Sequence, residues 1–215
     1  MRLKVGTRPS LLALKQVEEI RGKLRGVELQ PVIIHTKGDK DKVTSLTLLE
    51  KTDFFTYEIE QALLKGEVDV AVHSAKDLEE NIPEELVIAA VTSSIRRCDC
   101  LVSHEGYTFD TLPEKAIVGT SSASRKEGVT RYRNDLIVKD IRGDIDERLG
   151  QLDRGDFDAV IMAHAALVRL GYHERKSRII PFTLIEPHPL QGSLAVQVNK
   201  KRKDLRIIFG KIDGK

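Results

Sequence analysis

The chain contains no run of eighteen apolar residues, so no segment is expected to cross a bilayer as a helix. It also has almost no charge imbalance. Its 35 Lys and Arg residues against 33 Asp and Glu leave +2, which argues against general nucleic-acid binding. Cysteine is scarce: Cys98 and Cys100 are one residue apart in RRCDC. That spacing is too tight for an ordinary disulfide, and two thiolates do not make a structural zinc site, so two reduced thiols are expected. No metal is expected elsewhere, because His164 at a strand end lacks a partner at ligand spacing and reads as a packed or capping histidine. The opening MRLKVGTRPSLLAL has neither the long apolar core nor the small-residue cleavage site of a signal peptide, which points to the cytoplasm. What remains is a chain of 215 residues, 40% hydrophobic and 32% charged, with room for one large domain or two small ones.

Short apolar runs alternate with amphipathic ones along this length. Leu3–Val5 reads as a strand, and Gly6–Ser10 as a turn into a helix over Leu11–Leu24 with Ser10 as its N-cap. Arg8 lies just before that helix N-terminus, either beside an anion or as a surface arginine. Val27–Ile34 reads as a strand, residues 35–42 as a charged, mobile loop, and Phe55–Lys65 as a helix closed by Gly66. Val68–Val72 is compact enough for a central parallel strand, and it runs into a polar turn holding His73, Ser74, Lys76 and Asp77. Such a strand end suits a ligand site. It equally suits a solvated turn in which Asp77 caps a helix with Glu80 as its partner.

At residues 92–99 the texture becomes polar and basic, which marks a crossing into a second domain. There Ala116–Val118 is a buried strand, followed by Gly119-Thr120-Ser121-Ser122-Ala123-Ser124-Arg125-Lys126. This turn is either an oxyanion cradle or a Ser-rich helix start, and it lacks the Walker pattern. Strands at Asp135–Lys139 and Phe157–Ala163 follow, with helices at Ile145–Asp153 and Ala165–Leu170, a Pro-rich linker at 181–189, a strand at Leu194–Val198 and a basic tail, KKRK. The alternation predicts two α/β domains with mainly parallel, mixed sheets and a cleft between them: residues 1–93 plus 188–215, and residues 94–187. The cleft is expected to gather Arg8, Lys76, Asp77, Thr120, Ser121, Ser122, Arg125, Arg142 and Arg148. Four arginines and a lysine around a carboxylate imply a ligand rich in carboxylates, which the planar guanidinium binds in a fork.

Seven segments, taken in order, carry a resemblance: GTRPSLLAL (6–14), TKGD (36–39), DVAVHSAKD (69–77), IVGTSS (117–122), IRGDIDERL (141–149), GDFDAVIMAHAALVRLG (155–171) and LQGSLAV (190–196). Together they resemble hydroxymethylbilane synthase, the porphobilinogen deaminase family, across nearly the whole chain. The resemblance implies a transferase of periplasmic-binding-protein-like fold. It would join four porphobilinogen units, with loss of ammonia at each step, into the linear tetrapyrrole of haem biosynthesis, growing the chain on a cysteine-bound dipyrromethane cofactor. It further implies that Asp77 is the catalytic acid/base and that Arg8, Lys76, Arg125, Arg142 and Arg148 hold acetate and propionate groups of cofactor and substrate. Ser10, Thr120, Ser121 and Ser122 match hydrogen-bonding positions for the cofactor, and Gln16 and Gln191 are expected beside the substrate. The sequence departs from the pattern in several places. The family's third domain, which carries the cofactor cysteine, is not matched, and neither Cys98 nor Cys100 falls at that position. A separate subunit supplying it is one expectation, and a non-catalytic binder of porphobilinogen or polypyrroles is the alternative. Ser124-Arg125 replaces a pair of arginines, a clamp that Lys126 could take over; Lys51–Phe54 replaces a Gly- and Lys-rich loop, and Asp144 replaces an asparagine. A phosphoribosyltransferase would fit the Thr120–Ser124 turn but leaves HSAKD and the distributed arginines unexplained.

Overall fold

The computed structural model describes residues 1–41, 53–78, 81–172, 175 and 177–214. Two compact units emerge: one from the described parts of residues 1–41, 51–95 and 192–215, the other from residues 96–191. The first opens with β1 (Arg2–Thr7), α1 (Leu11–Lys23), β2 (Glu28–Ile33), the single turn α2 (Lys37–Lys40), α3 (Tyr57–Leu64), β3 (Val70–Ser74) and β4 (Leu86–Val91). The second holds β5 (Asp99–Ser103), β6 (Ile117–Gly119), α4 (Ala123–Tyr132), β7 (Ile137–Lys139), α5 (Ile145–Asp153), β8 (Ala159–Ala163), α6 (His164–Leu170) and β9 (Ser177–Ile179). The chain then returns to the first unit as β10 (Leu194–Asn199) and α7 (Lys203–Gly210).

The two sheets have orders β2-β1-β3-β10-β4 and β7-β6-β8-β5-β9. In the first, β1 is parallel to β2 and β3, while β10 is antiparallel to both β3 and β4. In the second, β6 is parallel to β7 and β8, while β5 is antiparallel to β8 and β9. Each sheet therefore has four strands of one direction and a single reversed strand, always fourth in the order. In each case the reversed strand is the first one laid down after a crossing between units.

Burial follows the apolar runs. Val5, Val70, Val72, Val196 and Val198 meet Val17 and Ile20 of α1 and Leu205 and Phe209 of α7 in one core. Full burial of a side chain such as Phe209 contributes about 1.5–3 kcal/mol. That is why Lys203–Gly210, which starts at the last residue of the expected basic tail KKRK, is helical. Leu205 and Phe209 are one turn apart and wholly buried, while Lys200, Lys201 and Lys203 of KKRK are exposed. Pro31 is tolerated because β2 is an edge strand. The other core joins Leu101, Val118, Val129, Ala159 and Ile161, with Val102, Leu152, Phe157 and Val160 on the opposite side of the same sheet.

β3 is central, as its composition requires, but it runs to Ser74 rather than ending at Val72. The extension is held by β10, which pairs Ala195 with His73 and Leu194 with Ser74. His73 and Ser74 are therefore strand residues, and the turn proper is the 3₁₀ segment Ala75–Asp77. Lys37–Lys40, expected within a mobile charged loop, is instead a closed helical turn. The expected roles of Glu80 and Lys42 fall outside the described residues.

Candidate functional site

In the first unit, β1 and β3 are parallel neighbours in the register Val5↔Val70 and Gly6↔Ala71. Their carboxyl ends therefore lie side by side and place Thr7 and Arg8 next to the Ser74–Asp77 turn. Ala75 is buried, and its N–H donates to the Ser193 carbonyl at 3.0 Å, which fixes the backbone that carries half-buried Lys76 and Asp77. On the other side Ser10 caps α1, its Oγ accepting from the Ala13 N–H at 3.2 Å. Gln16, buried on α1, donates to Ser74 Oγ at 2.9 Å and ties helix to strand end.

Arg8 is engaged within this unit. Its Nε and Nη2 donate to Asp39 Oδ1 at 3.0 and 2.5 Å, and its guanidinium lies 4.3 Å from the centroid of the Phe55 ring. Asp39 Oδ2 accepts from both the backbone N–H and the hydroxyl of Thr36, at 3.0 and 2.9 Å. Burial alone would raise the Asp39 carboxyl, but the bonds from Arg8 and Thr36 outweigh it and hold it below its ordinary value. Gly38 makes room for the ring: a Cβ there would lie 2.1 Å from Phe55 Cε1. The Arg8–Asp39–Phe55 group went unseen in the sequence, although TKGD (36–39) carries the T-x-x-D spacing of a helix start.

Behind the turn is a buried polar chain. Gln197 Nε2 donates to Glu60 Oε1 at 2.8 Å, which turns Gln197 Oε1 towards His73 Nε2 at 3.1 Å. A carbonyl oxygen only accepts, so the His73 proton sits on Nε2 and Nδ1 carries the lone pair. Burial pushes the imidazole down to about 4; Gln197 and Asp77 oppose this and Arg8 adds to it. His73 is thus a neutral ring that feels both Asp77 and Arg8. Nothing in the sequence signalled Gln197 or Glu60, which lie 124 and 13 positions from it.

In the second unit the corresponding strand ends are those of β6 and β7. Thr120, buried, sends its N–H to the Lys139 carbonyl at 2.9 Å, and its Oγ1 accepts from the Ser122 N–H at 3.3 Å. Ser121 bridges the two strand ends: its hydroxyl donates to the Ile141 carbonyl at 2.7 Å and accepts from the Ile141 N–H at 3.0 Å. Ser122 precedes α4, with its hydroxyl 3.1 Å from that of Ser124. The turn is thus a helix start whose hydroxyls are in large part already hydrogen-bonded within the unit.

Arg125 is buried in a fork with Asp99, Nε to Oδ2 at 2.8 Å and Nη2 to Oδ1 at 2.7 Å. Gln191 closes the group. Its Nε2 donates to Asp99 Oδ1 at 2.8 Å and to the Arg97 carbonyl at 2.7 Å, and its Oε1 accepts from Arg125 at 3.4 Å. Both residues were expected to face a ligand; in the structure both bond Asp99, which the sequence showed only as a residue between two cysteines. Arg142 and Arg148 are half-buried on the turn after β7 and on α5. Arg148 Nε donates to the Gly143 carbonyl at 2.8 Å, and Gln151 holds the Arg142 carbonyl at 2.9 Å. Asp144 is the N-cap of α5, paired reciprocally with Glu147, so the added charge lies at a helix N-terminus, where it is favourable. Lys126 forms an ion pair with Asp140.

Two α/β sheets, each with one reversed strand and polar residues at the ends of its parallel strands, define a fold of the periplasmic-binding-protein-like class. The probable amino-acid ABC transporter extracellular-binding protein YtmK of Bacillus subtilis matches 99% of this chain over 90% of its own, with TM-score 0.58 and 12% identity. The regulatory domain of Vibrio vulnificus OxyR2 matches 99% over 94%, with TM-score 0.53 and 13% identity. Residues 3–207 match the family described as "Porphobilinogen deaminase, dipyromethane cofactor binding domain". The chain belongs to the porphobilinogen deaminase family. Porphobilinogen deaminase of Nitratiruptor sp. is 40% identical over 92% of this chain and 64% of its own length. That of Pelotomaculum thermopropionicum is 39% identical over 97% and 68%, and that of Rubrobacter xylanophilus 42% over 93% and 66%. The chain thus spans about two thirds of the length of these relatives. Among the described residues no helix is long and apolar enough to cross a membrane.

Proposed function

We propose that this chain acts on porphobilinogen as a hydroxymethylbilane synthase, condensing four units to the linear tetrapyrrole in the cytoplasm, with Asp77 as its acid/base. The observation that carries this reading is the placement of Asp77 on a backbone pinned between β3 and β10, beside the neutral His73 and Arg8, in a member of this family. A carboxyl group there can give its proton to the departing amine. It then remains as a carboxylate, the counter-charge to the pyrrole nitrogen that turns cationic as ammonia leaves.

Dipyrromethane, when bound, would supply the pyrrole carbon on which the chain grows. The donor set fits such a carboxylate-bearing group in part. Within the first unit half-buried Lys76 lies beyond β3 and Ser10 beyond β1; within the second, half-buried Arg142 lies on the turn after β7 and Arg148 on α5, with the Thr120 and Ser122 hydroxyls after β6. Arg8 and Arg125 would have to exchange Asp39 and Asp99 for a ligand carboxylate. Gln16 and Gln191 position Ser74 and Arg125 and act on substrate through them. That internal pairing favours a second reading, in which the chain binds porphobilinogen or a polypyrrole and turns over only with a subunit supplying the cofactor cysteine.

Incubation with porphobilinogen, followed by assay of hydroxymethylbilane, tests the proposal. Turnover that falls by 10²-fold or more in Asp77→Ala is expected, within the range for general acid–base groups. Unchanged turnover in that variant would overturn the role of Asp77. Binding without product would select the second reading.

A further inference from the structure

The two thiols of the RRCDC segment and His164 have no part in the site above, yet the structure joins Cys98 to His164. Cys98 directly precedes β5 and His164 opens α6; the His164 N–H donates to the Cys98 carbonyl at 3.1 Å. Their side chains then meet, Cys98 Sγ lying 3.4 Å from His164 Nδ1, with both residues half-buried. Arg96 and Asp99 are the charged groups that act on this pair. The second thiol, Cys100, is wholly buried and donates to the Met162 carbonyl at 3.4 Å. Two side chains of complementary chemistry, in contact and open to solvent, are the arrangement of a nucleophile with its base.

We propose that Cys98 and His164 form a base-assisted thiol site that reacts with small carbon electrophiles carrying a displaceable leaving group. Burial raises the Cys98 thiol above its ordinary value, while burial and Arg96 lower His164, so at neutral pH both groups are uncharged, and the His164 tautomer protonated on Nε2 leaves Nδ1 able to accept the thiol proton. In the step, Sγ bonds to the electrophilic carbon, the leaving group departs with the electron pair of the broken bond, and the thiol proton passes to His164 Nδ1. Cys100 does not compete, being sealed from solvent with its thiol pushed up to about 12. This site is independent of the reading of Asp77.

Iodoacetamide tests it on the full chain, with the label located by peptide mass. A single label on Cys98 is expected, at a rate that stays flat between about pH 7 and pH 8 because the proton goes to His164 rather than to solvent base. His164→Gln keeps a hydrogen-bonding side chain without the base. Its rate at pH 7 should fall on the order of tenfold or more and should then climb about tenfold per pH unit, as for a lone thiol. A wild-type rate that climbs with pH in the same way, a label that goes first to Cys100, or no label on the folded protein would each overturn the proposal. Should the variant fail to fold, the wild-type pH profile decides alone.

Discussion

Arg125 shows how much of a residue's role its neighbours decide. Arginine after a hydroxyl-rich turn reads as an anion clamp, but here the anion is internal. Removing one partner of a buried pair leaves the other charged and unsolvated, so Arg125→Leu should lower the unfolding free energy by about 3–5 kcal/mol in urea titration. Arg125→Lys should recover little of it, because an ammonium cannot match both oxygens of Asp99. His73 gives a pH signature. Its folded value, about 4, lies below the ordinary 6.5, so the unfolded chain takes up the proton more readily. The stabilisation is complete above about pH 6.5 and is lost as pH falls towards 4, a change on the order of 3 kcal/mol. Unfolding at stepped pH should show that slope in the wild type and a flatter one in His73→Gln. The positions of Asp77, Lys76 and Ser10 were legible because each sits where a local pattern, a strand end or a cap, fixes the backbone. The partners Asp39, Asp99 and Gln197 were not, because long-range pairing of single polar side chains leaves no periodic trace.

At the scale of elements, local propensity and packing can disagree in sign. Gly128 lies inside α4, where alanine ordinarily stabilises by about 1 kcal/mol. A Cβ there would come 2.7 Å from both the Leu184 carbonyl oxygen and Ile185 Cγ1. Backbone cannot move aside as a flexible side chain can, so overpacking should win, and Gly128→Ala should lower the melting temperature by an amount worth about 1–3 kcal/mol. For α5 the two agree: Asp144→Ala removes the N-cap and should cost about 1 kcal/mol in the same assay. Apolar periodicity made α1, α5, β3 and β8 readable. It hid α7, whose two buried residues follow the basic run KKRK, and β9, a three-residue edge strand with an arginine at its centre. Short elements held by a neighbouring strand or helix carry too few residues for a period to show.

At the scale of the molecule, the two sheets share one plan of strand order and direction, yet the units differ in how the chain builds them. The second is continuous from Arg96 to Gln191, and the first is closed only by β10 and α7. Residues 96–191 alone should fold, shown by dispersed amide resonances, whereas residues 1–191 should keep only the second unit ordered. Without β10, the strand between β3 and β4, the edge of β3 has no partner and β4 has no sheet. During synthesis this sets a schedule. Strands β1–β4 must wait while roughly 100 further residues are made before β10 emerges, on the order of 5–20 s at typical elongation rates. The later unit matures inside that interval. The half bearing Asp77 is thus begun before the other unit and closed after it, and while it waits the open edge of β3 is a site where a chaperone, or another nascent copy, can bind.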